Sequence, residues 1–202
     1  MRRFLFFACV AGGTAALIIG GFLFREASAS RAMSPLPVLG QVPSFALVDH
    51  HGRPFSDGDL RGRVWVADFV FTRCAGQCPM MHERMRDLSQ IIRNPDVRLV
   101  SFSVDPEWDT PQVLAAYVAQ QGWPTHQWSF VTGARAEIER VCRDGFHLSM
   151  GSEDAGAEPV THSVRLALVD RQGGIRGYYD ATDDSRLTQL TRDLQQLAAS
   201  AD

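Results

Sequence analysis

The chain contains no lysine, so arginine supplies all 20 of its basic residues. These arginines are spread along the sequence without a basic block or a basic stretch interleaved with aromatic residues, and the formal net charge is -3. A nucleic-acid-binding protein is expected to carry a clustered basic footprint. We therefore expect no nucleic-acid partner, and we interpret the lack of lysine as a compositional bias of the source genome.

Cysteine is also scarce, since the chain has four. Cys9 lies in an apolar N-terminal run, which leaves Cys74, Cys78 and Cys142 in the remainder. An odd number excludes a complete set of structural disulfides. Cys142 falls at core spacing on a helix predicted at residues 134–143, where a free cysteine behaves as a small hydrophobe. Cys74 and Cys78 are thus the pair that calls for a chemical explanation.

The N-terminus lacks charge over a long stretch. Arg2 and Arg3 precede 21 uncharged and mostly apolar residues, 4–24. This run is long enough to span a bilayer and longer than a signal-peptide core of about 7–15 residues. Residues 27–29, Ala-Ser-Ala, nevertheless resemble a signal-peptidase site. A membrane anchor and a cleaved signal with a soluble periplasmic product are both open, and either one exports the rest of the chain.

The remaining length suits one domain with an appendage. Residues 1–30 are predicted to be the membrane anchor or signal segment, and residues 31–42, rich in Ser, Ala and Pro, a linker. A hydrophobic content of 45% allows residues 43–202 to bury a sizeable core. We expect this domain on the exported, periplasmic or extracytoplasmic side of the membrane.

A buried strand followed by a helix surrounds the two cysteines. Residues 64–71 are β-branched, aromatic or otherwise apolar at most positions, as in a central strand. Pro79 suits the first turn of a helix. An apolar face then continues to about residue 93 through Met81, Met85, Leu88 and Ile92. The cysteines therefore sit at a helix N-terminus, which favours a thiolate.

A Cys-x3-Cys pair in this position has three uses. Its thiols can cycle with a disulfide, its thiolates can hold a soft metal ion such as Cu(I) or Zn(II), or a permanent disulfide can staple strand to helix. An exposed strand-to-helix tip is a poor place for a staple. The pattern therefore favours redox or metal chemistry.

The rest of the sequence indicates an α/β fold. Thr110 and Pro111 form a helix start, and residues 171–174 separate two alternating segments as a hairpin turn does. Strands are predicted at residues 45–48, 97–104, 128–131, 163–170 and 175–179, and helices at residues 111–121, 134–143 and 184–198. An N-terminal hairpin, a βαβα run, a second hairpin and a final helix fit a mixed sheet flanked by helices. This order is consistent with a thioredoxin-like fold.

The segment around the cysteines reads F-x-F-T-x-C-x-x-x-C-P, formed by Phe69, Phe71, Thr72, Cys74, Cys78 and Pro79. With this pattern the chain resembles the Sco/SenC family, thioredoxin-fold proteins involved in assembling the copper centre of cytochrome c oxidase. Further blocks at residues 103–111 and 162–173 agree with the family and occur in the family's order. The resemblance extends over about residues 40–197.

The resemblance implies a copper-binding metallochaperone and/or thiol redox protein that assembles the binuclear copper centre of the oxidase. Copper, as Cu(I) or Cu(II), would be held by Cys74, Cys78 and His162, with the two cysteines also acting as a redox pair. The implied partners are cytochrome c oxidase subunit II or a related copper acceptor, and a thiol reductant of the exported compartment.

The sequence departs from the family in two places. Thr161 stands where an aspartate usually precedes the histidine, and residues 75–77 are Ala-Gly-Gln where the family commonly has a proline and then an acidic residue. A residue that orients the imidazole is therefore missing from its usual position. Gly76 is expected to loosen the segment between the cysteines.

A metal-free thiol-disulfide reductase and a thiol peroxidase are two alternative functions that would use the same cysteines. A metal-free thiol-disulfide reductase would be expected to carry Cys-x-x-Cys, and the extra residue here argues against it. Peroxiredoxins place a threonine three residues before the peroxidatic cysteine, whereas Thr72 lies two before Cys74.

Two further residues are either structural residues or supplementary ligands. Asp105 lies at the end of a predicted strand, and His82 lies one helical turn after Cys78.

Overall fold

The structure is a computed structural model that describes residues 35–74, 76–92, 94–148 and 164–200. The predicted ligand His162 and the predicted anchor or signal segment, residues 1–30, lie outside the described residues. In the described part, no helix is both long enough and apolar enough to cross a membrane.

An eight-stranded mixed sheet forms the centre of the domain. Its strands are β1 (Gly40–Gln41), β2 (Ala46–Asp49), β3 (Pro54–Ser56), β4 (Val64–Val70), β5 (Val97–Ser103), β6 (Trp128–Thr132), β7 (Arg165–Val169) and β8 (Gly174–Asp180). The spatial order is β1-β8-β7-β4-β5-β6-β2-β3. The central strands β4, β5 and β6 are parallel, and β7 and β2 join this group antiparallel on either side.

Helices cover both faces of the sheet. They are α1 (Cys78–Ile91), α2 (Pro111–Gln121), α3 (Arg135–Arg140) and α4 (Asp184–Ala199), with a 3-10 helix at Asp57–Leu60. The predicted start of α2 is confirmed, since the Thr110 side chain accepts a hydrogen bond from the Val113 N–H (3.3 Å) and Pro111 is the first helical residue. The predicted α/β class, a mixed sheet flanked by helices, is also confirmed.

The two faces of the sheet differ in polarity near the centre. Asp68 on β4 and Ser101 on β5 are register partners, so their side chains share a face. The helix α1 covers this face, because the ring of His82 contacts the ring of Phe130 on β6, the register partner of Ser101. On the opposite face, Phe69 packs with Phe102 and Phe146 in an aromatic cluster.

The structure differs from the sequence-based expectation at two elements. The strand β1 lies within the residues assigned to a linker, and it pairs with β8 through Gly40 and Gln41. The helix expected at residues 134–143 ends at Arg140 and continues as a π-helical turn, Val141–Gly145. Cys142 is buried in this turn, as its core spacing predicted.

Candidate functional site

The two cysteines lie where β4 passes into α1. The chain leaves the strand after Val70, turns with a hydrogen bond from the Cys74 N–H to the Phe71 carbonyl (3.2 Å), and enters the helix at Cys78. Cys74 is partly exposed, whereas Cys78 is 8% exposed. Cys74 is therefore the thiol that a partner or reagent reaches first, and Cys78 lies behind it.

The thiol of Cys78 is held in its neutral form. Burial is the largest cause that raises its pKa above the ordinary value, and the neighbouring Cys74 thiol raises it further. Burial thus outweighs the helix N-terminus, which the sequence led us to expect would favour a thiolate. A bound metal cation reverses this balance because thiolates are its ligands, so metal binding at this pair must release protons.

A buried carboxyl group lies on the sheet face beneath α1. Asp68 is 0% exposed, and neither of its oxygens has a hydrogen-bond partner of normal geometry among the described residues. Burial raises its pKa to about 7, although the Ser101 hydroxyl favours the ionised form. The charge of Asp68 in turn contributes to the raised pKa of Cys78. A nearly neutral solution therefore holds this acid close to half-protonated.

The turn that carries Cys74 is tied to the segment that follows β5. Asp109, which is fully buried, accepts hydrogen bonds from the Thr72 N–H (3.1 Å) and the Thr72 hydroxyl. Arg73 forms an ion pair with Asp105, with Nη2 2.5 Å and Nε 3.1 Å from Oδ2. The guanidinium of Arg73 also lies over the ring of Trp108, 4.6 Å from its centroid.

The contacts of Asp105 and His82 bear on whether these two residues are structural or supplementary ligands. The Asp105 carboxylate is engaged by Arg73, so it acts as the partner of that cation. The His82 side chain is fully buried, and its Nδ1 lies 3.2 Å from the Tyr117 hydroxyl. Burial lowers the pKa of His82 to about 4. Aromatic rings surround its imidazole, at Tyr117, Trp123, Trp128 and Phe130.

The described residues supply two of the three predicted metal ligands. Cys74 and Cys78 are brought together, while His162 lies outside the described ranges. Within those ranges, no group of three or more His, Cys, Asp or Glu side chains is arranged to hold a metal ion. Two adjacent sulfur atoms form a donor set that fits a soft ion such as Cu(I).

Taken together, the fold and the cysteine pair define a thioredoxin-like protein with a dithiol at its central strand-to-helix junction. A family model described as SCO1/SenC matches residues 39–199. The chain belongs to the SCO1/SenC family.

Individual relatives agree with this assignment. The chain is 32% identical to the SCO1 protein homolog of Bacillus subtilis (strain 168) over 189 residues, which cover 92% of this chain and 95% of the relative. BsSco, a member of the Sco family of cytochrome c oxidase assembly proteins with an identified disulfide switch, matches with a TM-score of 0.71 and 30% identity, over 82% of this chain and 99% of that chain. The predicted thioredoxin-like fold is thereby confirmed.

A copper-loaded structure is also similar. Arabidopsis thaliana ScoI with copper bound matches with a TM-score of 0.61 and 25% identity, over 78% of this chain and 99% of that chain. The likeness extends over nearly the whole length of that protein's solved chain.

Two residues of the site escaped the sequence-based reasoning. Asp68 is the only charged residue in β4, which is a sequence signal for a buried carboxylate with a special role. Asp109 stands in the block at residues 103–111, but no local pattern indicates that its partner is Thr72, 37 residues away. Only the folded structure brings Thr72 and Asp109 together.

Proposed function

We propose that this protein binds copper through Cys74 and Cys78 and takes part in assembling the binuclear copper centre of cytochrome c oxidase. It does so by delivering copper to that centre, by reducing the centre's cysteines, or by both. The observation that carries the proposal is the pair of adjacent thiols at the β4–α1 junction of a SCO1/SenC family chain.

The arrangement of the two thiols suits a metal that has to be passed on. A partly exposed Cys74 gives an acceptor access to the ion, whereas a buried Cys78 holds it from behind. Thiolates are the soft ligands that select Cu(I). Since the pKa of Cys78 is raised by burial, the metal-free protein keeps this thiol protonated and releases the proton when the ion binds.

His162 completes the proposed ligand set. Two thiolates and one imidazole form a low-coordinate site that accepts copper in either oxidation state, whereas a structural zinc site is closed by a fourth ligand. With Thr161 preceding it, the imidazole is not oriented by an adjacent aspartate.

The same proposal includes location and partners. The N-terminal segment, residues 1–30, either anchors the protein to the membrane or is removed to leave it soluble in the periplasm. In both cases the domain acts on the exported side. Its acceptor is subunit II of the oxidase or a related copper protein, and a thiol reductant of that compartment keeps Cys74 and Cys78 reduced.

A metal-free thiol-disulfide reductase is the alternative function. An accessible thiol in front of a buried one suits disulfide exchange, in which the first thiolate attacks and the second resolves the mixed disulfide. Both functions use the same two sulfur atoms. They differ in whether the reduced protein binds copper.

Titration of the reduced protein with Cu(I), against a competing chelator, tests the proposal. We expect one copper per chain, and loss of tight binding in Cys74→Ser and in Cys78→Ser. Cys142→Ser is the matched control, because Cys142 is a thiol buried elsewhere in the core, and it should bind as the wild type does. Stoichiometric copper in the double variant, Cys74→Ser with Cys78→Ser, would refute the proposal.

A second arm of the experiment uses the oxidised protein. Disulfide formation removes two protons and two electrons from the thiols of Cys74 and Cys78, and the resulting sulfur atoms are no longer thiolate ligands. Oxidation by a disulfide reagent should therefore expel Cu(I), with thiols counted before and after. Equal affinity of the two forms would mean that these cysteines are not the ligands.

A further inference from the structure

The Cys74 turn is held from outside its own strand and helix. The Thr72 N–H and hydroxyl both donate to Asp109, and the Ser103 hydroxyl donates to the same carboxylate (2.6 Å). Asp109 is 0% exposed, so water does not compete for these hydrogen bonds. Two of the three donors on Asp109 thus belong to one residue, which lies two positions before Cys74.

The segment that presents Asp109 is itself braced. The Asp109 N–H donates to the Asp105 carbonyl (2.8 Å), and the Asp105 N–H donates to the Ser103 hydroxyl (3.2 Å). The Val104 N–H donates to the Val70 carbonyl (3.0 Å), which extends the pairing of β5 with β4 to the point where the turn begins. Asp109 is therefore fixed relative to the sheet and provides a rigid anchor.

We propose that Asp109 is a positioning residue that holds the Thr72–Arg73 turn, and through it Cys74, in the arrangement of the dithiol. The Cys74 N–H closes the same turn on the Phe71 carbonyl (3.2 Å), so displacement of Thr72 displaces Cys74. The inference rests on the proposed function in one respect, which is that Cys74 and Cys78 are the working pair.

The consequence concerns the balance between dithiol and disulfide. The hydrogen bonds to Asp109 are made while both cysteines are free thiols. Oxidation joins the two sulfur atoms and passes two electrons and two protons to an oxidant such as glutathione disulfide. Hydrogen bonds that hold the dithiol form more strongly than the disulfide form stabilise the dithiol against oxidation. Weakening these hydrogen bonds therefore shifts the equilibrium toward the disulfide.

Thr72→Val tests the inference with the smallest change. Valine keeps the branched shape but lacks the hydroxyl that donates to Asp109. In equilibrium with glutathione redox buffer, the dithiol-disulfide constant should move about tenfold toward the disulfide, which corresponds to a potential about 30 mV more negative. Asp109→Asn should shift the constant in the same direction, and Thr72→Val keeps the test decisive if that variant fails to fold.

Tyr179→Phe is the matched control. It removes another hydroxyl that donates to a largely buried carboxylate, Asp193 (2.7 Å), on the β8–α4 side of the domain. We expect it to lower the unfolding midpoint without moving the redox constant. A redox constant unchanged in Thr72→Val, a shift toward the dithiol, or an equal shift in Tyr179→Phe would overturn the inference.

The measurement uses no copper, so it separates the two proposals. Failure of the reduced wild type to bind Cu(I) would refute the proposed function and leave the redox constants of the variants interpretable. An unchanged constant in Thr72→Val with normal Cu(I) binding would refute the role of Asp109 alone.

Discussion

Replacement of Asp68 by asparagine is expected to flatten the dependence of stability on pH. The carboxyl group of Asp68 is fully buried, and burial raises its pKa from 3.8 to about 7. In the unfolded chain the group regains its ordinary pKa, so the native state binds the proton more tightly. Its stabilising contribution is complete below about pH 4 and is lost as the pH rises to about 7.

The size of the effect follows from the two pKa values of Asp68. A change from 3.8 to about 7 corresponds to about 4 kcal/mol in the free energy of unfolding. Between about pH 4.5 and about pH 8 the wild type should lose about 3 kcal/mol through this group. Asparagine does not ionise, so this part of the pH dependence should vanish in Asp68→Asn.

Urea unfolding of the reduced protein over this pH range provides the measurement. Asp87→Asn is the control, because Asp87 lies exposed on α1, and that variant should keep the wild-type slope of stability against pH. If Asp68→Asn and the wild type show the same slope, Asp68 does not carry the buried, proton-binding role that the structure assigns to it.

Two further predictions concern the sulfur and nitrogen groups. His162→Ala should weaken Cu(II) binding more than Cu(I) binding, since Cu(II) favours nitrogen ligands, while the two thiolates retain some Cu(I) and still form the disulfide. Cu(II) spectroscopy together with disulfide-exchange rates checks this prediction. Unchanged Cu(II) binding would exclude His162 as a ligand. Iodoacetamide should alkylate Cys74 first in the reduced protein, because Cys78 and Cys142 are buried and burial raises the pKa of both thiols, that of Cys142 to about 12. Peptide mass spectrometry reads out the order, and faster modification of Cys142 would contradict it.

Much of the fold follows from local sequence signals. The mostly apolar run that became β4 is typical of a central strand, the nearly continuous apolar run that became β5 indicates burial on both faces, and the Thr110–Pro111 pair marks a helix start that the structure reproduces. These elements were accessible because each depends on periodicity or capping within a few residues. The two-residue strand β1 pairs through backbone groups of Gly40 and Gln41, which leave no side-chain pattern to detect.

The candidate site also combines features that the local sequence predicts with features that only the fold shows. The spacing of Cys74 and Cys78, with Pro79 suited to the first turn of a helix, predicts that the thiols lie at a strand-to-helix junction, and in the structure the helix begins at Cys78. The hydrogen bonds of Thr72 with Asp109 depend on the parallel packing of β4 and β5, so a reading of either segment alone does not reveal them. His162 and its part in the site stay a prediction, because that residue lies outside the described ranges.

The raised pKa of Cys78 shows why a local rule was insufficient. A helix N-terminus favours a thiolate when the sulfur is reached by solvent or by a charge of opposite sign. Here the sulfur is buried next to a second thiol and feels the negative charge of Asp68, and these effects outweigh the helix. The degree of burial is a property of the tertiary structure.

X-ray absorption spectroscopy at the copper edge of the reduced, Cu(I)-loaded protein tests the central claim most directly, because it reports the atoms bound to the metal. Two sulfur ligands from Cys74 and Cys78, with one nitrogen ligand from His162, are expected in the wild type. The double variant, Cys74→Ser with Cys78→Ser, should retain no sulfur-bound copper. Tightly bound copper without sulfur ligands in the wild type would contradict the account.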